Sequence, residues 1–518
     1  MDKRYFHTLH PPSIPLTGPN ANKTPMGFRN LQGLWYNGGM YEAIIGMEVH
    51  AQLLTRSKMF CGCDASVFGA EPNTHVCPVC LGMPGALPVI NRKAVAATIM
   101  VGLALNCAIA ETAVFSRKNY FYPDLPKSYQ ISMYDFPLCR HGSLDVGGPD
   151  DQVSRIRIRR VHLEEDTGKS FHIGDHSLVD FNRSGVPLIE IVTEPDIRTP
   201  EEARQYVTKL RTILRTLGVS TGDMEKGAMR CEANISLRLA GTEALGAKVE
   251  IKNLNSFRSV KLALDYEIAR QAEVLDGGSP VRQVTMGWDE QNGRTVEQRL
   301  KEESEDYRYF PEPDLPPLRI SPAWVEKIRG TLPELPDARQ GRFVRELGLS
   351  QADAALLAAD LDVAGFYDAA VAAGTEKGVS ARTIAHWVTG ELFRWLRSVN
   401  AGIGDLRAGP PALVDLLALI EQGTITAASG RLVLDEMLAT GRSAGEIAAA
   451  RGLAQISEQA TLAAMVEEIV AANPDLAAQY RSGKQALLRW FIGEVMKATR
   501  GQANVHVVTG LLQDKLKG

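Results

Sequence analysis

The stretch AIIGMEVHAQLL, residues 43–54, decides the fold class. From Met47 onward apolar and polar residues alternate. Met47, Val49, Ala51 and Leu53 share one side of an extended chain, and Glu48, His50 and Gln52 share the other. A period of two belongs to a strand with one face on a core. The runs RIRIRRVHL (155–163), VPLIEIVTE (186–194), CEANISLRL (231–239) and AKVEIKNL (247–254) have a similar character and are bounded by turn residues. Together they predict a largely antiparallel sheet between Tyr41 and about Leu318. Helices are interleaved. Pro200 to Leu217 follows Thr199, a good N-cap, and has Glu201 and Glu202 in its first turn; Phe257 to Leu275 follows Ser256.

Beyond the sheet the composition changes. PEPDLPPL (311–318) is too rich in proline to continue a helix or a central strand, so a domain boundary is placed just after it. After Pro322 the chain turns Ala- and Leu-rich with helical spacing, as in ADAALLAADLDVAGFYDAAVAAG (352–374). A second boundary is placed near Gly452. In KQALLRWFIGEVMKA (484–498), Leu487, Leu488, Phe491, Ile492, Val495 and Met496 form one apolar helix face. The expected class is α+β: a leader over 1–39, a sheet domain over 40–320, a helical domain over 321–451 and a helical tail over 452–518. A chain of 518 residues is too long for one core and agrees with several domains. The apolar stretch Ala94 to Ala110 is interrupted by Thr98, Gly102 and Asn106 and falls short of the roughly 18 residues of a spanning helix. It reads as a buried helix, so no membrane role is expected.

Lys and Arg total 57 against 61 Asp and Glu, a net charge of −4, so no global field attracts nucleic acid. A local excess exists at the tail. From Arg481 onward Arg481, Lys484, Arg489, Lys497, Arg500, Lys515 and Lys517 face only Glu494 and Asp514. That cluster is either a phosphate-contacting surface or a solvated helix face. An odd count of 7 Cys without an apolar secretory core in residues 1–39 argues for a reducing compartment, hence a cytoplasmic protein. The leader carries Lys3, Arg4, Lys23 and Arg29 against Asp2 and reads as a disordered extension or an upstream start ahead of Met40, with a weak transit-like segment as the alternative.

Four motifs carry chemistry. Cys61 and Cys63, with Cys77 and Cys80, form two close pairs whose spacing suits a structural four-thiolate zinc site; reduced thiols are the alternative. Glu48 and His50 project from one strand face and suit a divalent metal or a half-buried ion pair. Glu190 lies in VPLIEIV, apolar on both sides, and must be neutralised there by a metal or by a neighbouring Arg or Lys. In RVHLEEDTGK (160–169), Arg160, His162 and Glu164 share a face and Glu165 takes the other. If the strand ends at Glu165 both glutamates converge on one site suited to magnesium-nucleotide chemistry; the alternative is a charged hairpin tip. No Walker P-loop and no Rossmann fingerprint is present, so any ATP chemistry would use a metal site on the sheet.

The segments IGMEVHAQL (45–53), FSRKNYFYPDLPKSYQIS (115–132), HLEEDTGKS (162–170), SLVDFNRSGVPLIEIVTEPD (177–196), MRCEANISLR (229–238), EIKNLNSFRSV (250–260) and YRYFPEPDLPPL (307–318) resemble the signatures of the GatB/GatE family, the B subunits of aspartyl/glutamyl-tRNA amidotransferases. The likeness runs from Tyr41 to Gly518. It implies a catalytic cradle like that of glutamine synthetase and guanido kinases, a helical domain and a YqeY-like tail that binds tRNA. It also implies an amidase subunit (A) and a small linking subunit (C) as partners. The implied reaction activates the side-chain carboxylate of Glu-tRNA(Gln) or Asp-tRNA(Asn) with ATP and amidates it with ammonia. On the matching positions the resemblance assigns Glu48, His50, Glu164, Glu165 and Glu190 to magnesium. Lys118 goes to a phosphate or the substrate carboxylate, and Asp166 and Lys169 to the nucleotide site or ammonia path. Phe121, Tyr122 and Tyr129 are candidates to stack on the tRNA acceptor end. Two rival readings remain: an RNA-binding protein without turnover, and a ligase acting on a free amino acid.

Overall fold

The computed structural model describes residues 40–147, 152–300, 307–453, 459–499 and 501–517. The expected leader, residues 1–39, and Arg500 of the basic tail lie outside them. Nine strands among the described residues form the main sheet. Tyr41–Gln52 is at its centre. On one side follow Pro187–Thr193, Val153–Glu165, Cys139–Gly147 and Ala108–Ile109; on the other, Met229–Leu239, Val249–Leu254, Val284–Asp289 and Arg294–Leu300. The neighbours are antiparallel except Val249–Leu254 with Val284–Asp289. That parallel pair is joined by helix Phe257–Asp276, the crossover such a pair needs.

The alternation seen in the sequence divides this sheet into two unlike faces. Met47, Val49, Ala51, Val161, Leu163, Ile189, Ile191, Cys231 and Ala233 belong to one apolar core. Helices Arg92–Ala104, Pro200–Thr216 and Phe257–Asp276 pack there, supplying Ile99, Val207, Leu210 and Leu264. Thr199 opens the second helix with a capping box: its hydroxyl accepts from Glu202 N at 3.1 Å while the Glu202 carboxylate accepts from Thr199 N at 2.9 Å. Glu48, His50, Arg160, His162, Glu164, Glu190, Arg230 and Glu232 therefore project from the opposite face, which no helix of this core covers.

Several expected boundaries shift, each for a local reason. The apolar stretch from Ala94 is a helix only to Ala104. Asn106 then adopts φ 58°, and Ala108–Ile109 pairs with Cys139 and Arg140. Gly142 makes this close approach possible, because a Cβ there would collide with Cys107. The run 352–374 is divided between Gln351–Ala358 and Leu361–Lys377, where the Asp360 side chain caps the second helix by accepting from Asp362 N and Val363 N. The tail helix spans Leu487–Ala498, with Phe491 and Val495 fully buried on the anticipated face. The proline-dense segment forms two short edge pairings. Phe310–Pro311 pairs with Ser116 and Arg117, Leu318–Arg319 pairs with Thr112 and Ala113, and apolar residues through Leu335 pack on the first core. A second core runs from Phe343 to Ala448 and a third from Leu462 to Leu516. Among the described residues no helix is long and apolar enough to cross a membrane.

Ile191, fully buried on the helix-covered face beside Glu190, tests this division of faces. Ile191→Ala should destabilise the chain by about 2–5 kcal/mol in denaturant melts. Glu194→Gln, at a solvent-exposed ion pair with Arg159, should cost less than about 1 kcal/mol.

Candidate active site

Register brings the polar residues into a row across four strands. His50 lies opposite both Glu190 and Arg230, and Glu190 lies opposite His162. Opposed residues of antiparallel strands project to the same side, so these four side chains face one space. Glu48 and Glu164 flank the row one step to either side. His50 Nε2 is 3.4 Å from Glu190 Oε2, 3.7 Å from Glu164 Oε1 and 3.9 Å from Glu48 Oε1. His162 Nε2 is 3.4 Å from Glu190 Oε2 and 3.6 Å from Glu164 Oε2. Arg160 reaches Glu190 Oε1 at 3.3 Å, and Ser132 Oγ donates to Glu164 at 2.9 Å.

The electrostatics follow from burying like charges together. Burial and the Glu190 charge push the Glu48 carboxyl up to about 7, against the pull of His50. Burial disfavours a charged His50, yet its hydrogen bond to Glu190 and the charges of Glu190, Glu164 and Glu48 raise it to about 9. His162 is raised for the same reason. Burial opposes ionisation of Glu190, but the two histidines hold its carboxyl well below the usual range. Two donor sets, Glu48–His50–Glu190 and His162–Glu164–Glu190, each bring their ligand atoms within 4.8 Å of one another. An oxygen-rich set with a carboxyl this resistant to ionisation fits a hard divalent cation.

Lys118 extends this arrangement. It lies on strand Ser116–Asn119, and its ammonium sits 5.0 Å from the Tyr307 ring centroid and 5.9 Å from that of Tyr120. Burial would discharge it, but Glu164, Tyr309 and Glu190 hold its pKa above the ordinary lysine value. Tyr309 stacks on Tyr134 with centroids 4.3 Å apart, and Arg160 lies over Tyr134 at 5.9 Å. An aromatic row thus borders the acidic row.

Two sequence-predicted residues, Glu165 and Lys169, are placed elsewhere, and a third, Asp166, meets the row through Arg230. The His162 strand does end at Glu165, but the two glutamates do not converge. Glu165 takes the opposite side, pairing with Lys127 at 2.5 Å and accepting from Ile131 N at 3.0 Å. Asp166 is buried beneath Arg230 (2.9 Å), Gln52 (2.8 Å) and Arg183 (3.7 Å); burial opposes its ionisation, and Arg230 and Arg183 lower its pKa nonetheless. Lys169 is exposed on a separate hairpin, over the Phe171 ring at 4.8 Å. Of the stacking candidates, Phe121 and Tyr122 are exposed, whereas Tyr129 lies beneath Arg117 at 4.3 Å. His162, Arg160, Arg230, Ser132, Tyr307 and Tyr309 enter the site without having been singled out. For His162 and Arg160 the shared face with Glu164 was the available signal.

The four cysteines also meet. Cys61, Cys63, Cys77 and Cys80 bring their sulfurs within 4.8 Å of one another, and Cys77 and Cys80 are 3.9 Å apart. Tetrahedral zinc with bonds of ~2.3 Å separates sulfurs by ~3.8 Å, so the set fits. None of the seven cysteines is in a disulfide. A hydrogen bond from Cys61 and the Lys58 ammonium, 3.6 Å away, bring the Cys80 thiol down to about 4 despite burial. Thiolates bind metal, and this one is already favoured.

Comparison with known proteins agrees with this architecture. The family model described as the GatB/GatE catalytic domain matches residues 43–326, and the one described as the GatB domain matches residues 366–516. The B subunit of the aspartyl/glutamyl-tRNA(Asn/Gln) amidotransferase of Roseiflexus sp. (strain RS-1) is 52% identical over 479 residues, covering 92% of this chain and 98% of that protein. Its counterpart in Moorella thermoacetica is 50% identical over 480 residues, covering 92% and 100%. That in Thermomicrobium roseum is 52% identical over 481 residues, covering 92% and 99%. With both models matched in order and full-length relatives sharing half their residues with it, the chain belongs to the GatB/GatE family of tRNA-dependent amidotransferase B subunits.

Proposed function

We propose that this chain carries out the carboxylate-activating and amidating half of tRNA-dependent transamidation, at the open face of the sheet. The observation that carries the reading is the convergence of Glu48, His50, Glu164 and Glu190 beside Lys118 on that face. A carboxylate is a poor acceptor for ammonia, because its leaving group would be oxide. In the proposed reaction one oxygen of the glutamyl or aspartyl side chain attacks the γ-phosphorus of ATP, and ADP leaves. Ammonia then attacks the acyl carbon of the resulting acyl phosphate and inorganic phosphate departs, leaving Gln-tRNA(Gln) or Asn-tRNA(Asn). Phosphoryl transfer between anions is governed by positioning and by offsetting charge.

Glu48, Glu164 and Glu190, with His50 once it gives up its proton, would hold magnesium, which when bound supplies positive charge next to the phosphates. Lys118 and Arg160, held at the border of the acidic row, would orient the anionic oxygens of phosphate and substrate. Burial of the row limits water near a hydrolysable intermediate. The sheet with its helix-covered back supports a kinship with the glutamine synthetase/guanido kinase cradle. Ammonia would come from an amidase subunit held by a small linking subunit in a cytoplasmic three-subunit enzyme. The tail would contact the tRNA body, although Lys515 is engaged with Glu467 at 2.6 Å and Arg481 with the Leu516 carbonyl at 3.2 Å. Zinc on the four cysteines would brace the scaffold, since a closed four-thiolate set leaves no open position for catalysis.

Two experiments test this. The assembled enzyme should convert Glu-tRNA(Gln) in the presence of ATP, magnesium and ammonium chloride, releasing ADP. His50→Ala and Glu190→Ala should lower that turnover about 100-fold or more while circular dichroism stays native. Full turnover in either variant would place the chemistry elsewhere, and tRNA binding without ATP consumption by the wild type would favour a binding module. Separately, Cys77→Ser should lose bound zinc, measured by elemental analysis, and lower Tm, yet retain ATP-dependent turnover. A folded, zinc-free variant with no activity would assign the cysteines a direct part in the reaction.

A further inference from the structure

The proline-dense run from Tyr307 returns along the border of the acidic site, and one buried ion pair ties it there. Glu312 has a fully buried side chain and receives two parallel bonds of 2.7 Å from Arg117, at Nε and Nη2. Its Oε1 also accepts from Asp314 N at 3.1 Å, and its own N–H donates to the Phe115 carbonyl at 2.8 Å. The Arg117 guanidinium is flanked by aromatic rings, Tyr129 at 4.3 Å and Phe310 at 5.7 Å. A planar fork between rings, paired bidentately, admits little rotation. Next in the chain is Lys118, and neighbouring residues of a strand point to opposite sides. Arg117 thus faces the Pro311–Glu312 segment while Lys118 faces the carboxylates.

The same segment supplies what surrounds the lysine. The backbone and side-chain N–H groups of Asn119 donate to the Tyr307 carbonyl at 2.9 and 3.3 Å, and the side chain also donates to the Arg308 carbonyl at 2.8 Å. Arg308 adopts φ 45°, a left-handed conformation that costs a non-glycine residue energy and persists only where neighbours enforce it. Tyr307 lies over the Lys118 ammonium, and Tyr309 reaches Tyr134. We propose that Arg117 and Glu312 are a positioning pair for Lys118: by locking Phe310–Pro311 onto Ser116–Asn119 they keep Tyr307 over the ammonium and aim it at the acidic row. The proposal rests on the transamidation reading for its functional meaning. The anchoring of the strap can be read without it.

In the assembled three-subunit enzyme, with Glu-tRNA(Gln), ATP, magnesium and ammonium chloride, Glu312→Gln should lower kcat about 10- to 100-fold. KM for the tRNA should stay within about 3-fold. Arg117→Lys, which retains the charge but loses the fork, should show the same split and guards against misfolding of the first variant. Tyr307→Leu should reproduce the loss, and the double variant Glu312→Gln/Tyr307→Leu should be no slower than either single one. Losses that multiply would mean that the pair and the ring act independently, and would overturn the proposal. So would wild-type kcat in both pair variants. Hydrogen exchange should quicken at amides 116–119 and 307–310 in Glu312→Gln, and unchanged exchange there would refute the anchoring whatever the turnover. A wild-type enzyme that consumes no ATP would instead count against the transamidation reading alone.

Discussion

The polar face of the sheet is organised around Glu190. It sits in a strand whose residues from Pro187 to Val192 are otherwise apolar, with almost no access to water, and an isolated ionised carboxylate there would be costly by several kcal/mol. His50 and His162, each 3.4 Å from the same oxygen, and Arg160 at the other make the ionised form tolerable. Those three residues come from the two neighbouring strands, so the carboxylate couples the register of three strands to the charge state of one site. A slip of one residue in either pairing would turn the imidazoles toward the helices and the apolar residues toward the carboxylates.

This coupling explains why the sheet is built with unlike faces. The covered face carries the stability, through Ile, Val and Leu packed under three helices. The open face can then concentrate Glu48, Glu164 and Glu190, an arrangement that repels itself. The helices pack behind the strands, so the polar row lies on the side of the sheet away from the core. Positive charge is supplied from two directions, by the histidines within the sheet and by Lys118 and Arg160 beside the aromatic row. A carboxylate cluster bordered by fixed cations suits handling phosphate and carboxylate together, because neither sign dominates the space between.

Much of this was legible from period two. Alternation placed Glu48, His50 and Gln52 on one face and put His162 with Glu164, and the apolar surroundings of Glu190 marked it as a group needing a partner. What alternation cannot supply is register, and register decided that His50 would face Glu190 and Arg230 simultaneously. The fate of Glu165 illustrates the limit. Its position at the strand end was readable, but its partner Lys127 comes from the loop ahead of Tyr129, and without that pairing a convergence of both glutamates was equally reasonable. The proline-dense run shows a different limit. Proline excluded helix and central strand correctly, but it does not exclude an edge strand, and two short edge pairings return the chain to the site. Glu312 gave no local sign of burial, because its partner Arg117 is nearly two hundred residues away in sequence.

Cys80 and Lys58 support the same register from outside the site. Residues 53–91 leave the His50 strand and reach helix Arg92–Ala104 without forming a helix or an extended strand of their own. A segment of that length inside a folded domain needs cross-links to stay in place. Beyond the sulfurs, the Lys58 ammonium is fully buried and donates to Cys80 and to the Phe181 carbonyl, and Ser184 donates to the Cys80 carbonyl. Phe181 and Ser184 lie on the approach to the Glu190 strand. The Cys80 contacts therefore add to the backbone bonds from Leu53 N to the Pro187 carbonyl at 2.9 Å and from Met59 N to the Gly185 carbonyl at 2.7 Å, which tie the end of one site strand to the start of its neighbour. Through Lys58 and Cys80, groups remote from the carboxylates help hold the two strand ends together without touching the polar row.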